Sequence, residues 1–392
     1  MRILIAPDKF KGSLTAAEAA TAIKRGVTRA ISDADCLIIP VSDGGEGLIE
    51  ATNNTNAERR VTRVRGPLGD EHNARWALLT TPSPGNPPLH HIQPEHPSPI
   101  AVIEMAEASG LGWVTPSPET AVRADSYGTG QLIQAALDAG ARTIMCGIGG
   151  SACTDGGSGA LRALGARILD RHGNDIPPGG GGLVYAHTID TSAMAPVDHV
   201  RIILATDVTN PLLGPHGAAA VYAPQKGAGP HQVATLEQGL TCWSTCLTRV
   251  NADFNPAAMG MGAAGGFASA LTTICSAITT PGFDTVATLT GFDAALAAGV
   301  DLLIVGEGTL DHQTLSGKAP VAAARRAAAW GIPTVAVAGA VNVDTSDLEE
   351  AGMSAVIALR DVSSGAGDKD DTMRHAAEYL EQAAEKLVRD MC

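Results

Sequence analysis

Aromatic side chains are scarce in this chain of 392 residues, at 3%. The shortage, beside many alanines, 45 glycines and 23 prolines, favours α/β packing closed by small side chains and tight glycine turns. No collagen period accompanies the glycines. Basic residues are also short: 27 Lys and Arg stand against 41 Asp and Glu, a net charge of −14. Such a surface repels a phosphate backbone, which argues against non-specific nucleic-acid binding and leaves any anion to be captured locally. Cysteine is sparse and poorly spaced for cross-links. The seven, at 36, 146, 153, 242, 246, 275 and 392, form no C-x-x-C pair and have no histidines at zinc spacing. Buried free thiols in a reducing cytoplasm are therefore expected, not a disulfide framework or structural zinc.

Long apolar runs and the commonest catalytic signatures are missing too. The opening MRILIAPDKF breaks at Pro7 and Asp8, short of a signal-peptide core, and the longest uncharged run, Phe254–Phe283, is filled with Gly, Ala, Thr, Asn and Pro. No membrane span and no export are expected. There is no G-x-x-x-x-G-K-[ST] loop, since the Gly317–Lys318 pair is followed by alanine, and no G-x-S-x-G elbow. Gly260, Gly262 and Gly265 spell G-x-G-x-x-G, but Asn255 and Pro256 precede them in place of a strand, so a dinucleotide loop fails its context.

What is present is enough for two folded domains: 45% of residues are hydrophobic and 17% charged. Residues 2–6 (RILIA) predict a buried strand, and Thr15 with Glu18 predicts a capping box opening a helix through Ala19, Ile23, Val27 and Ile31. Residues 36–41 predict a second strand, and Leu48 opens another helical stretch. The same alternation returns at 301–305, 334–338 and 355–359, before an amphipathic helix carrying Met373, Ala377, Leu380, Ala384 and Leu387. Both ends therefore read as one parallel sheet, a discontinuous domain of 1–65 plus 293–392, with 66–292 inserted as a second α/β domain. Residues 80–100 hold seven prolines and no Lys or Arg, an irregular excursion; His90, His91 and His96 beside Glu95 are read there as an exposed loop, not a metal site.

Glycines, carboxylates and amides cluster at strand ends, where open α/β sheets bind ligands. Asp8, Lys9, Lys11 and Ser13 follow the first strand, next to a helix start that suits an anion. Two loops echo each other: Asp43, Gly44, Gly45, Glu46, Gly47 and Asp155, Gly156, Gly157, Ser158, Gly159, the second preceded by Gly149, Gly150 and Ser151. Paired glycines let backbone approach a ligand closely, and the Asp can hold Mg²⁺ or take a proton. Asp207 with Thr209 and Asn210 follows another apolar strand; Gln225 and Lys226 lie beside glycines; Glu307, Asp311, Gln313 and Lys318 gather in GEGTLDHQTLSGK.

The chain resembles the bacterial glycerate kinases of the first class. The strings that carry the resemblance are APDKFKGSLTAAEAA (6–20), IPVSDGGEG (39–47), IEMAEASGL (103–111), DSYGTGQLI (125–133), GIGGSACTDGGSGALRALG (147–165), DVTNPLLGPHGAAAVYAPQKGA (207–228), GMGAAGGFASAL (260–271) and GEGTLDHQTLSGKAP (306–320). The resemblance implies a discontinuous flavodoxin/Rossmann-like domain with a second α/β domain inserted, an active site in the cleft between them, and transfer of a phosphoryl group from ATP to the 2-hydroxyl of D-glycerate. Ser42, Cys153 and Thr154 depart from the family pattern, and the proline-rich stretch looks like an insertion.

Such a reaction needs charge and positioning rather than a covalent nucleophile. Lys9, Lys11 and Lys318 are accordingly expected to meet phosphate or carboxylate charge. Ser13, the glycines 44, 45, 149, 150, 156 and 157, Glu46, Ser151, Asn210, Gln225, Lys226, Asp311 and Gln313 are expected around substrate and phosphates. Asp43, Asp155, Asp207 or Glu307 would serve Mg²⁺ or the substrate hydroxyl, with Asp207 favoured as base and Asp207 and Glu307 as metal ligands. D-glycerate and ATP are the partners, and a homodimer stays open. The rivals are an NAD(P)-dependent hydroxypyruvate/glycerate oxidoreductase using Gly260–Gly265 and a non-catalytic small-acid sensor.

Overall fold

The computed structural model describes the chain apart from residues 43, 46, 81–98, 316, 363–368 and 392, and describes Asn54, Gln313 and Lys369 by backbone alone. The expected proline-rich excursion and its histidines thus lie outside the described residues. In chain order the strands are β1 (Arg2–Pro7), β2 (Asp35–Ile38), β3 (Ala57–Arg65), β4 (Glu71–Leu79), β5 (Ile100–Glu104), β6 (Thr143–Gly147), β7 (Arg167–Leu169), β8 (Thr188–Asp190), β9 (Arg201–Ala205), β10 (Ile278–Thr280), β11 (Leu302–Leu310), β12 (Thr334–Val341) and β13 (Met353–Ala358). They fall into two units, one of Met1–Asp43 with Phe283–Cys392, the other of 44–282, residues 81–98 aside.

The first unit is an all-parallel sheet in the order β13-β12-β11-β1-β2. Renumbered along its own chain this is the doubly wound order 2-1-3-4-5, whose direction reverses between β1 and β11. The apolar run of β1 is continuous because both faces are covered. Ile3 and Ile5 pack with Ile23, Val27 and Leu380 on one side, and Leu4 and Ala6 with Phe292, Leu303 and Val321 on the other. The helix Ala16–Ala30 starts where expected: Glu18 N–H donates to the Thr15 hydroxyl, and Thr15 N–H to the Glu18 carboxylate.

The second unit holds a six-stranded sheet, β10-β9-β6-β5-β4-β3, parallel from β5 to β10 and antiparallel at β4 and β3, with a small β7–β8 pair apart from it. Its core gathers Trp76, Ile103, Ile144, Leu204, Trp243 and Phe267.

The unit boundaries differ from the sequence expectation of 65/66 and 292/293. Residues 44–65 join the second unit because β3 pairs with β4 along its whole length, and the helical stretch from Leu48 is a single turn, Leu48–Ala51. At the other end, Phe283 meets Phe292 edge-on at 5.4 Å, and both sit in the core with Leu4 and Leu303. The strand expected at 301–305 also runs on to Leu310, held by Thr309 opposite Ala340, so Glu307 lies on a strand and not in a loop.

Candidate active site

In the second unit the apolar strands β5, β6 and β9 end in register, with Glu104 opposite Gly147 and Gly147 opposite Ala205. The chain leaves all three at one edge, the place where open α/β sheets take ligands. The first glycine turn lies across that edge. A Cβ on Gly149 would sit 2.7 Å from the Gly45 Cα, and one on Gly147 would sit 2.6 Å from the Gly44 carbonyl oxygen. A Cβ on Gly44 would in turn sit 2.4 Å from the Gly282 Cα, beyond β10. The two segments can meet backbone to backbone here only because Gly44, Gly147 and Gly149 carry no side chain at the points of contact.

Behind this bare surface the polar groups are buried and engaged. Asp155 is fully buried. Its Oδ2 accepts from the Ser126 N–H (2.9 Å), the Ser126 hydroxyl (2.8 Å) and the Gly159 N–H (2.9 Å), and its Oδ1 from the Gly157 N–H (3.1 Å). Ser126 Oγ also accepts from Ala160 N–H. This carboxylate fastens the second glycine loop to the start of the helix Ser158–Ala163. Next to it, Asp125 pairs with Arg65 at 2.6 Å, and burial, then the Asp155 charge, push its carboxyl up to about 6.

Glu104, at the end of β5, accepts through Oε1 from the Gly47 N–H (3.0 Å) and the Ile49 N–H (2.7 Å), holding the chain that follows the first glycine turn. Burial dominates the two amide bonds and pushes its carboxyl up to about 7. Lys226, on the turn Pro224–Lys226, points inward; its Nζ donates to the Ser151 Oγ at 3.0 Å and the Cys153 carbonyl at 2.5 Å. Burial lowers its ammonium from the ordinary lysine range.

Three further segments complete this edge. Asp207 is exposed just after β9, with Oδ1 accepting from the Gly282 N–H at 3.0 Å. Asn210 is held at both ends, its amide donating to the His216 carbonyl and its oxygen accepting from the Tyr222 hydroxyl. Gln225 is exposed. Ala264, Gly265 and Gly266 all have positive φ, and a Cβ on Gly265 would lie 2.2 Å from the Cys153 carbonyl oxygen. The G-x-G-x-x-G string is thus a left-handed kink under the 153–156 loop, with no strand before it.

In the first unit the reversal between β1 and β11 brings two loops together. Phe10 is buried, the Ser13 hydroxyl donates to its carbonyl, and Lys9 and Lys11 flank it, half-buried and exposed. Gly308 on β11 would place a Cβ 3.3 Å from the Lys11 backbone nitrogen. Glu307 accepts from the Thr314 hydroxyl, which also lies 3.3 Å from Asp311 Oδ1; Lys318 Nζ is 3.8 Å from the same Asp311 oxygen. Among the described residues no three His, Cys, Asp or Glu side chains gather for a metal ion.

The glycerate kinase family model matches residues 3–392 of this sequence. The chain belongs to the glycerate kinase family. It is 39% identical to a glycerate kinase of Bacillus subtilis over 99% of its own length and 97% of that relative. It is 36% identical to the glycerate 2-kinase of Escherichia coli, over 99% and 97%. A crystal structure described as that of a glycerate kinase 2 candidate from Salmonella typhimurium LT2 superposes with a TM-score of 0.82 at 38% identity, covering 100% of this chain and 98% of that one. The chain is therefore an enzyme, a kinase of this family, and the two α/β units agree with that likeness.

For a glycerate kinase the expected residues divide unevenly. Gly44, Gly45, Gly149, Gly150, Ser151, Gly156, Gly157, Asp207, Asn210, Gln225 and Lys226 belong to the second unit, as does Asp155, whose oxygens are filled by protein donors. Lys9, Lys11, Ser13, Glu307, Asp311 and Lys318 belong to the first. Asp43, Glu46 and the Gln313 side chain lie outside the described residues. Glu104, Asp125 and Ser126 were not among the expected site residues, although an acidic residue closing the apolar run IAVIE was a usable signal. No helix among the described residues is long and apolar enough to cross a membrane. The six described cysteines are free, and burial raises the thiols of Cys146, Cys153, Cys246 and Cys275.

Proposed function

We propose that this kinase transfers the γ-phosphoryl group of ATP to the 2-hydroxyl of D-glycerate, giving 2-phosphoglycerate and ADP. The observation that carries the reading is the close approach of Gly44 and Gly45 to Gly147 and Gly149, glycine backbone against glycine backbone, at the strand edge that also bears Ser151 and Asp207. Backbone amides and a hydroxyl there suit a small, anionic, hydroxylated acid. The name of the Escherichia coli relative, glycerate 2-kinase, supports the 2-hydroxyl.

Phosphoryl transfer draws mainly on positioning and electrostatics. Lys9, Lys11 and Lys318 supply positive charge to phosphate oxygens. Asp207, exposed and steadied by the Gly282 N–H, accepts the proton of the attacking hydroxyl as its oxygen bonds to the γ-phosphorus and the bond to ADP breaks. Mg²⁺ is an oxygen-seeking ion that needs only one or two protein carboxylates when phosphates and water fill its other positions. Glu307 and Asp311, sharing the Thr314 hydroxyl, fit that need and would hold it. It would supply neutralisation of phosphate charge.

An ADP-release assay across small hydroxy acids, followed by phosphorus NMR of the product, tests the reading. ADP formed with D-glycerate and a phosphate on carbon 2 are expected. Release without glycerate dependence, or a phosphate on carbon 3, would refute it.

A further inference from the structure

Lys226 is 3% exposed, yet among the described residues no carboxylate oxygen comes within 4.0 Å of its ammonium. The charge of Asp155 reaches it only from farther off, so hydrogen bonds must hold much of this buried ammonium, which has three protons to place. Two go to Ser151 Oγ and the Cys153 carbonyl; the third has no acceptor among the described residues. The Ser151 end is more telling. An ammonium can only donate, so the Ser151 oxygen is the acceptor in this pair and its own O–H must point elsewhere. That proton has no acceptor among the described residues, although Ser151 is only 8% exposed and follows the solvent-open Gly150 at the glycine turn.

We infer that Lys226 is a positioning residue: it orients and polarises the Ser151 hydroxyl so that this O–H donates to an oxyanion of a bound substrate. The inference rests on the kinase reading above and deepens it, by separating the group that touches ligand, Ser151, from the cation that acts through it. Lys226 itself does not meet the ligand. Both a carboxylate and a phosphate oxygen have the required chemistry, and the measurement tells them apart.

The test is a double-mutant cycle on the full chain, Ser151→Ala, Lys226→Met and both together, with KM for D-glycerate and for ATP and kcat measured for each. Loss of a hydrogen bond to a charged group corresponds to about a ten- to hundredfold rise in KM. Each single variant should raise KM for one substrate by that factor, with kcat held within about twofold. A rise for D-glycerate assigns the carboxylate, and a rise for ATP the phosphate. Lys226→Met in the Ser151→Ala background should change KM by less than about twofold, because there is no hydroxyl left to orient.

Equal factors in both backgrounds would overturn the inference, and so would single variants with unchanged KM. A purely structural lysine would reduce the folded fraction, and with it apparent kcat, without moving KM. Should Lys226→Met fail to fold, Ser151→Ala still decides: normal KM for both substrates refutes the oxyanion contact. Wild-type chain that neither turns over D-glycerate nor binds it in calorimetry would instead bring down the kinase reading, and the inference with it.

Discussion

The two units hold most of their candidate charged groups differently, with the exposed Asp207 in the second and the buried Glu307 in the first as exceptions. In the second, Asp155, Glu104 and Lys226 are buried and tied to backbone amides, hydroxyls or a carbonyl, and glycine backbone faces the strand edge beside the exposed Asp207. In the first, Lys11 is exposed and Lys9, Asp311 and Lys318 half-buried, around loops drawn together where the sheet reverses. Buried, satisfied groups fix geometry, because every change of partner leaves an uncompensated polar atom in a low-dielectric place. Partly exposed charges cost little to hold and are screened until a ligand excludes water. The contrast assigns shape to one unit and adjustable charge to the other.

The contrast breaks first at Asp155. Asp155→Ala leaves four donors without their acceptor and should destabilise the second unit by about 3–5 kcal/mol, read by thermal unfolding. A variant as stable as the parent would mean that the buried groups do not set the shape.

Glu104 sharpens it. Its folded-state carboxyl, at about 7, lies above the ordinary value of 4.5, so the folded state favours the protonated form. The stability tied to this group is fully present below about pH 4.5 and is lost as pH rises through about 7. Glu50 and Glu107 press in the same direction, while Arg59 and Arg75 feel the attraction of its charge. Glu104→Gln removes that loss. In urea unfolding it should gain on the parent across this window, reaching up to about 3 kcal/mol near pH 8. A constant difference from pH 4.5 to 8 would contradict the assignment.

Lys318 gives the smallest change in free energy. Lys318→Met should raise KM for ATP about tenfold while moving stability by less than about 0.5 kcal/mol, since its contact with Asp311 is a 3.8 Å surface pair. A large loss of stability would show that the first unit also uses its charges for shape.

Much of this was legible in the chain itself. The alternation of Ile3 and Ile5 against Leu4 and Ala6, the Thr15–Glu18 box, and the family strings around 44, 156 and 307 depend on neighbours a few residues away, and local pattern reports local physics. The helix expected to open at Leu48 does open there, but it is short, Leu48–Ala51 followed by a 3-10 turn over Thr52–Asn54, because the residues after it pair along β4, and tertiary pairing overrides weak local propensity.

What tertiary structure alone decided is which polar groups meet. Lys226 reaches Ser151 across 75 residues, Glu104 reaches Gly47 across 57, and Asp155 reaches Ser126 across 29. Sequence placed carboxylates and lysines near strand ends. Packing determined that Asp155 is enclosed and Asp207 exposed, because burial is a property of the assembled layers and not of any short stretch of chain.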